Sequence, residues 1–280
     1  MNLEKTAVLG IDVEDWYHAD YIQSLNVDKN YSMLDGLDNL INLFQELNVK
    51  GTYFCVSEIA YKLKNTLKKL HSEQNEIASH GKTHIRPLLL KKNEFLDEII
   101  DSKETLEKII SEKISGFRAP CFSLNRDYFN LLKEVNYTYD SSKINFSKHP
   151  LYGNLDLNDF NKINKFVYSK NTFMEFEIPT TNVFKFNIPF SGGGYIRLLS
   201  LKILKKIIIE IKNKNNPIFF YFHPFEFSNN KIIKKNIPIK TLIRMSIGRK
   251  GVQRKLFNLI YFMKSRGWNF KTFKEIQENV

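Results

Sequence analysis

Thr6-Ala7-Val8-Leu9-Gly10-Ile11-Asp12-Val13-Glu14-Asp15 runs from an apolar stretch straight into three carboxylates. Ala7 to Asp12 reads as a buried strand. Three acids within four residues repel one another, and burying them is costly without a cation or counter-charge. The adjoining Trp16 and Tyr17 argue against full exposure. Strand alternation places Asp12 and Glu14 on one face and Asp15 on the other. A chain turn after Val13 favours Glu14 and Asp15 as the working pair instead. The sequence leaves both registers open.

Outward from this stretch, apolar runs alternate with helical periodicities, which suggests βα units and parallel strands. Helices fit Met33 to Leu47, Ile59 to Leu70 and Asn93 to Ile110. Strands fit Thr52 to Val56, Glu76 to Ser79, Ile114 to Phe117 and Tyr137 to Tyr139. After a helix ending near Val135, Ser141 to Phe190 is irregular and aromatic. It reads as an insertion with short strands at Thr172–Glu177 and Asn182–Phe186. Beyond Gly192-Gly193-Gly194, a helix fits Tyr195 to Lys212 and a strand Pro217 to Phe222. A helix over Val252 to Ser265, a strand at Trp268–Phe270 and a short terminal helix close the chain. The expected fold is α/β, with residues 1–280 forming a single domain. Asp12 to Asp15, His80, Arg118, Asp140 and His223 all fall at strand C-terminal ends. A parallel barrel gathers those ends on one face.

The chain has 280 residues, 42% of them hydrophobic, which is ample for one core. No segment is apolar and long enough to cross a bilayer. The start lacks the long apolar region of a signal peptide, so a cytoplasmic protein is expected. Cys55 and Cys121 cannot make a disulfide framework. The net charge is +12, and from Phe227 to Lys274 there are 13 Lys and Arg with no Asp or Glu. That basic part, about 228–274, reads as attraction to an acidic polymer, a nucleotide-linked sugar or an anionic membrane face, or as a solvated surface. It carries no nucleic-acid recognition module, so no nucleic-acid partner is expected. Oligomeric state is not legible.

His80 and His84, in Ser79-His80-Gly81-Lys82-Thr83-His84, could reach one metal from one side of a helical turn. With a carboxylate from the acidic cluster they supply a facial ligand set with open positions. Arg118, in Gly116-Phe117-Arg118-Ala119-Pro120, could hold a carboxylate bidentately. His223, after Phe219-Phe220-Tyr221-Phe222, could serve as a general acid, with Asp140 or Glu226 raising its pKa.

These motifs, in this order, resemble the polysaccharide deacetylases of the NodB-homology type, carbohydrate esterase family 4. The stretches Ile11 to His18, Gly116 to Ser123, Tyr139 to Ser142 and Phe190 to Tyr195 look like a branch found in bacterial exopolysaccharide and surface-glycan clusters. The resemblance implies a distorted (β/α) barrel of about seven strands. It implies metal-dependent removal of an N-acetyl group from an amino sugar. By position, Asp15, His80 and His84 would bind the metal and Glu14 would be the base. Arg118 would orient the base, His223 would protonate the amine, and the backbone N–H of Cys121, after Pro120, would complete an oxyanion hole. In the other register Asp12 is the base and Glu14 the ligand. Trp16, Pro120, Asp140, Gly193, Tyr195 and Glu226 are candidates for substrate contact or support. The chain departs from the family in three places. It has Glu14-Asp15 for two aspartates, Cys121 for a tyrosine, and Lys143 near the acidic partner of the late histidine.

The expected substrate is an N-acetylated sugar of a surface polysaccharide, or its nucleotide- or lipid-linked precursor. The expected cofactor is one divalent ion, zinc by default, with cobalt, nickel, manganese or iron also suited. Peripheral contact with an anionic membrane face fits the basic part. The alternatives are a hydrolase of a small non-sugar amide and an inactive barrel that binds a glycan or anion.

Overall fold

The computed structural model describes residues 3–146, 149–183, 186–213 and 215–279. Its strands are β1 (Thr6–Val13), β2 (Thr52–Cys55), β3 (Glu76–Ser79), β4 (Gly116–Phe117), β5 (Tyr139–Asp140), β6 (Asn161–Asn164), β7 (Val167–Lys170), β8 (Phe173–Phe176), β9 (Thr181–Val183), β10 (Phe186–Ile188), β11 (Ile218–Phe222) and β12 (Asn269–Phe270). The helices are α1 (Asp20–Gln23), α2 (Asp35–Glu46), α3 (Lys64–Ser72), α4 (Lys92–Ile110), α5 (Arg126–Glu134), α6 (Gly193–Leu198), α7 (Leu201–Asn213), α8 (Pro224–Phe227), α9 (Ile239–Ser246), α10 (Val252–Ser265) and α11 (Phe273–Gln277).

One sheet runs β11-β1-β2-β3-β4-β5-β8, all parallel, and continues into the antiparallel hairpin of β7 and β6. β12 pairs with the first residues of β1. Among the described residues no ladder joins β8 to β11. That seam is filled by aromatic rings: Phe176 and Phe219 lie 5.5 Å apart, and Phe273 stands 4.8 and 5.1 Å from them. The result is a curled, incompletely hydrogen-bonded barrel.

Period-two alternation sorts β1 between two cores. Ala7, Leu9, Ile11 and Val13 face outward, under the helices. Val8 faces inward with Phe54, Ala78, Tyr139, Met174 and Phe219, and Phe273 and Ile276 of α11 plug that interior. The helices form because apolar residues recur on one stripe. In α2 these are Leu37, Leu40, Ile41 and Phe44, all buried. Each such burial contributes about 1.5–3 kcal/mol.

Several expectations shift. Phe173–Phe176 is not an accessory of an insertion but a parallel strand of the barrel, so the expected insertion carries part of the core. The run read as one helix from Tyr195 to Lys212 breaks at Leu199, which is extended (φ −74°, ψ 143°), into α6 and α7. The helix expected from Ile59 begins at Lys64, after a 3₁₀ turn at Ser57–Ile59. The strand expected over 182–186 is a hairpin of β9 and β10; residues 184–185 lie outside the described residues. No described helix is long and apolar enough to cross a membrane.

Candidate active site

The inward face of β1 sets the site. Gly10 and Asp12 follow Val8 into the barrel, and Glu14 keeps that parity just past the strand end. Asp12 and Glu14 are 2% and 3% exposed. Asp15 falls on the opposite side. Its Oδ1 accepts the backbone N–H of Trp16 (2.9 Å) and of Met33 (2.8 Å), capping the 3₁₀ turn Trp16–His18. The expectation that Asp15 joins the histidines is therefore corrected. Strand alternation persists to residue 14, and the Asp15 carboxylate caps the backbone turn through Oδ1.

Glu14, His80 and His84 form the cluster, their ligating atoms all within 4.8 Å of one another. The two histidines do not share a helical turn. They are joined by a loop in which Gly81 (φ 78°) and His84 (φ 61°) are left-handed. Glu98 of α4 clamps that loop, accepting from Lys82 N, Thr83 N and Thr83 Oγ1 at 2.8–3.0 Å. His80 Nδ1 lies 2.7 Å from the Arg118 carbonyl. A carbonyl only accepts, so Nδ1 carries the hydrogen and Nε2 keeps its lone pair. Burial lowers the His80 pKa to about 4, so the ring is neutral at pH 7. Glu14 Oε2 is buried and paired with His84 Nε2. Burial pushes its pKa up, but His84, His223 and His80 outweigh this and hold it at about 2. Two imidazoles and a buried, ionised carboxylate converging on one point fit a divalent cation.

Asp12 belongs to a second set. Its Oδ1 accepts from Arg118 Nη1 at 2.7 Å, and its Oδ2 lies 3.8 Å from His223 Nε2. Arg118 is fully buried. It donates to Ser141 O and Oγ, and its guanidinium stacks on Phe54 at 4.0 Å. Gly10 makes the passage possible, since a Cβ there would stand 2.8 Å from Arg118 Nη1 and from the Phe220 carbonyl.

His223 follows β11. Its Nδ1 lies 3.4 Å from Glu226 Oε2, which also accepts the His223 backbone N–H at 3.0 Å. Burial works against the charged ring, but Glu226, then Glu14 and Asp12, outweigh it and raise its pKa to about 9. Arg197 Nε lies 3.1 Å from Glu226 Oε1. Gly193 explains its own identity: a Cβ there would stand 1.8 Å from Glu226 Oε2. Of the two partners considered for His223, only Glu226 is present. Asp140 points outward from β5 and shares Ser142 N with Glu175.

These groups open on a cavity of about 470 Å³, whose wall includes Cys121, Tyr152, Tyr195, Tyr221 and Arg244. Cys121 (φ 53°) and Phe122 (φ 52°) are successive left-handed residues. No described acceptor takes the Cys121 N–H. Burial pushes the Cys121 thiol well up, so it is no nucleophile. Pro120 opens that turn. Trp16 is a buried anchor, donating to the Tyr31 carbonyl at 2.8 Å. Nothing in the sequence pattern marks Arg197 of α6, Arg244 of α9, or Tyr152 and His149 of the loop after β5, which all reach the cavity. His18 is not on that wall. It lies one turn after the acids and accepts from Asp15 N at 2.8 Å, with Glu58 on its other nitrogen at 2.6 Å.

Residues 22–139 match the family model "Polysaccharide deacetylase", and residues 141–278 match "Domain of unknown function (DUF3473)". A peptidoglycan deacetylase of Helicobacter pylori is 21% identical over 117 residues, 42% of this chain and 40% of that protein, so the match spans about two-fifths of that relative. Among solved structures, a Mycobacterium smegmatis protein assigned to the polysaccharide deacetylases superposes with TM-score 0.64 at 19% identity, covering 99% of this chain and 90% of that one. A Puue allantoinase superposes with TM-score 0.62 at 14% identity, covering 98% and 90%. These likenesses show the barrel, and the sequence match places the first half of the chain. Over residues 22–139 the chain matches the polysaccharide deacetylase family, and the solved structures show that it shares their barrel.

Proposed function

We propose that this chain removes the N-acetyl group from an amino sugar of a surface polysaccharide or its nucleotide- or lipid-linked precursor. One observation carries the reading: the Glu14–His80–His84 cluster, Asp12 backed by Arg118, and the His223–Glu226 pair all face one cavity at the strand ends. Glu14, His80 and His84 would hold a divalent ion, zinc by default. When bound, such an ion polarises an acetamide oxygen and lowers the pKa of water.

The chain's own groups divide the remaining work. Asp12, paired with Arg118 and facing His223, is the group placed to take a proton from the attacking water. Arg118 keeps that carboxylate directed into the cavity. This is the second of the two registers left open by the sequence. His223, protonated at neutral pH, supplies a proton to the departing amine, which leaves poorly as an anion. The Cys121 N–H is the backbone donor available to a developing oxyanion. Tyr195 and Tyr152 offer apolar faces to a sugar ring.

An allantoinase shares the fold, so a small non-sugar amide is the second reading. The cavity, at about 470 Å³ and walled by tyrosines, suits a sugar better. Acetate release from a panel of nucleotide-linked, lipid-linked and free N-acetyl sugars tests this, with His80→Ala as control. Stoichiometric metal and His80-dependent acetate release are expected. Undiminished release in His80→Ala, or release only from a small non-sugar amide, would overturn it.

A further inference from the structure

The mouth of the cavity has an unusual surface. Helix α9 buries Met245 against Trp16, Phe225 and Ile237. Its opposite face presents Ile239 (73% exposed), Ile243 (58%) and, at its C-cap, Ile247 (48%), spaced four residues apart. Gly248 (φ 72°) packs against Arg197, so Ile247 lies beside Leu198, which is 58% exposed; both reach the cavity wall. Isolated exposed apolar residues need no explanation, but a contiguous row of large aliphatic side chains at a cavity rim does.

Lysines flank the row. Lys231, Lys234, Lys235, Lys240 and Lys250 are exposed, and none has a carboxylate partner among the described residues. No Asp or Glu occurs between Phe227 and Lys274 to neutralise them. Apolar side chains framed by unpaired cations fit a surface that offers both hydrocarbon and negative charge. A second copy of this chain fits poorly, since pairing the face with itself would set cation against cation.

We propose that this rim docks on an anionic lipid bilayer, with Ile239, Ile243, Ile247 and Leu198 entering the interface and the lysines meeting the headgroups. The cavity then opens toward sugars carried at that surface. The docking stands on the rim alone; the statement about sugars rests on the deacetylase reading.

Co-sedimentation of the full chain with phosphatidylcholine vesicles, with and without phosphatidylglycerol, tests the docking. Binding is expected only to the anionic vesicles, with release at high salt. Ile239→Ser with Ile243→Ser should weaken it about tenfold and leave acetate release from a soluble substrate unchanged. Lys234→Glu with Lys235→Glu should weaken it as well, which covers the case of a misfolded isoleucine variant. No binding, equal binding to both vesicles, or full binding by both variants would overturn the proposal. So would a concentration-dependent dimer that the isoleucine variant abolishes while vesicles bind nothing. Anionic binding without deacetylase activity would leave the docking intact and sink only the function.

Discussion

Two groups of buried acids sit at strand ends of this barrel, and they behave in opposite ways. Asp12 and Glu14 face inward from β1 and meet Arg118, His80, His84 and His223. Asp140 and Glu175 face outward from β5 and β8 and meet chiefly the backbone N–H groups of Ser142 and Lys143 and the Ser142 hydroxyl. The first pair has cations, and Glu14 is held ionised. The second lacks a close cation, and burial raises both carboxyls: Asp140 to about 6, and Glu175 well above its usual range, with Asp140 beside it. The Ser142 N–H that both carboxyls accept ties β5 to β8 without touching the cavity. A strand end is thus not enough to make an acid functional. The face it occupies decides.

The largest expected effect breaks the comparison outright if it fails. Glu14→Gln should lose the metal and cut acetate release by about 10³-fold, read by metal analysis and steady-state rates. Next, Asp12→Asn should keep the metal but lower kcat by about 10²–10⁴-fold. Asp15→Asn should keep both and leave stability little changed, since an amide oxygen caps the turn as the carboxylate does, read by chemical denaturation. If Asp15→Asn strips the metal and Glu14→Gln does not, the other register holds.

A smaller effect concerns His223. Its charged form is present below about pH 9 because of Glu226. Glu226→Gln should move the alkaline fall of kcat to lower pH and leave the metal content unchanged. An unmoved alkaline limb would remove Glu226 from the mechanism. The smallest effect belongs to the outward pair. Its folded pKa values are raised, so its share of stability is complete below about pH 4 and is lost as pH rises through about 6 and beyond. Glu175→Gln should therefore flatten the pH dependence of Tm above pH 6 and leave kcat unchanged. A fall in kcat would mean that the outward pair does reach the chemistry.

Much of this was legible in the chain. The run from Thr6 to Val13, the long helix over Lys92–Ile110 and the strand before His223 are fixed by local hydrophobic periodicity, which needs no partner to be read. The chemical residues stood out because each follows such a run. Less legible were Phe173–Phe176, too short to distinguish from an insertion strand, and the break at Leu199, where periodicity continues across the bend.

The sequence by itself determined the α/β class, the strand ends and the short list of groups that carry chemistry, because those follow from period and residue type. Only the tertiary structure decided that Glu14 rather than Asp15 stands beside His80 and His84, that Asp140 turns away, and that Glu226 supports His223. The physical reason is that orientation at a strand end depends on where the chain leaves the pleat. That depends on backbone contacts such as Met33 N to Asp15, formed by residues distant in sequence.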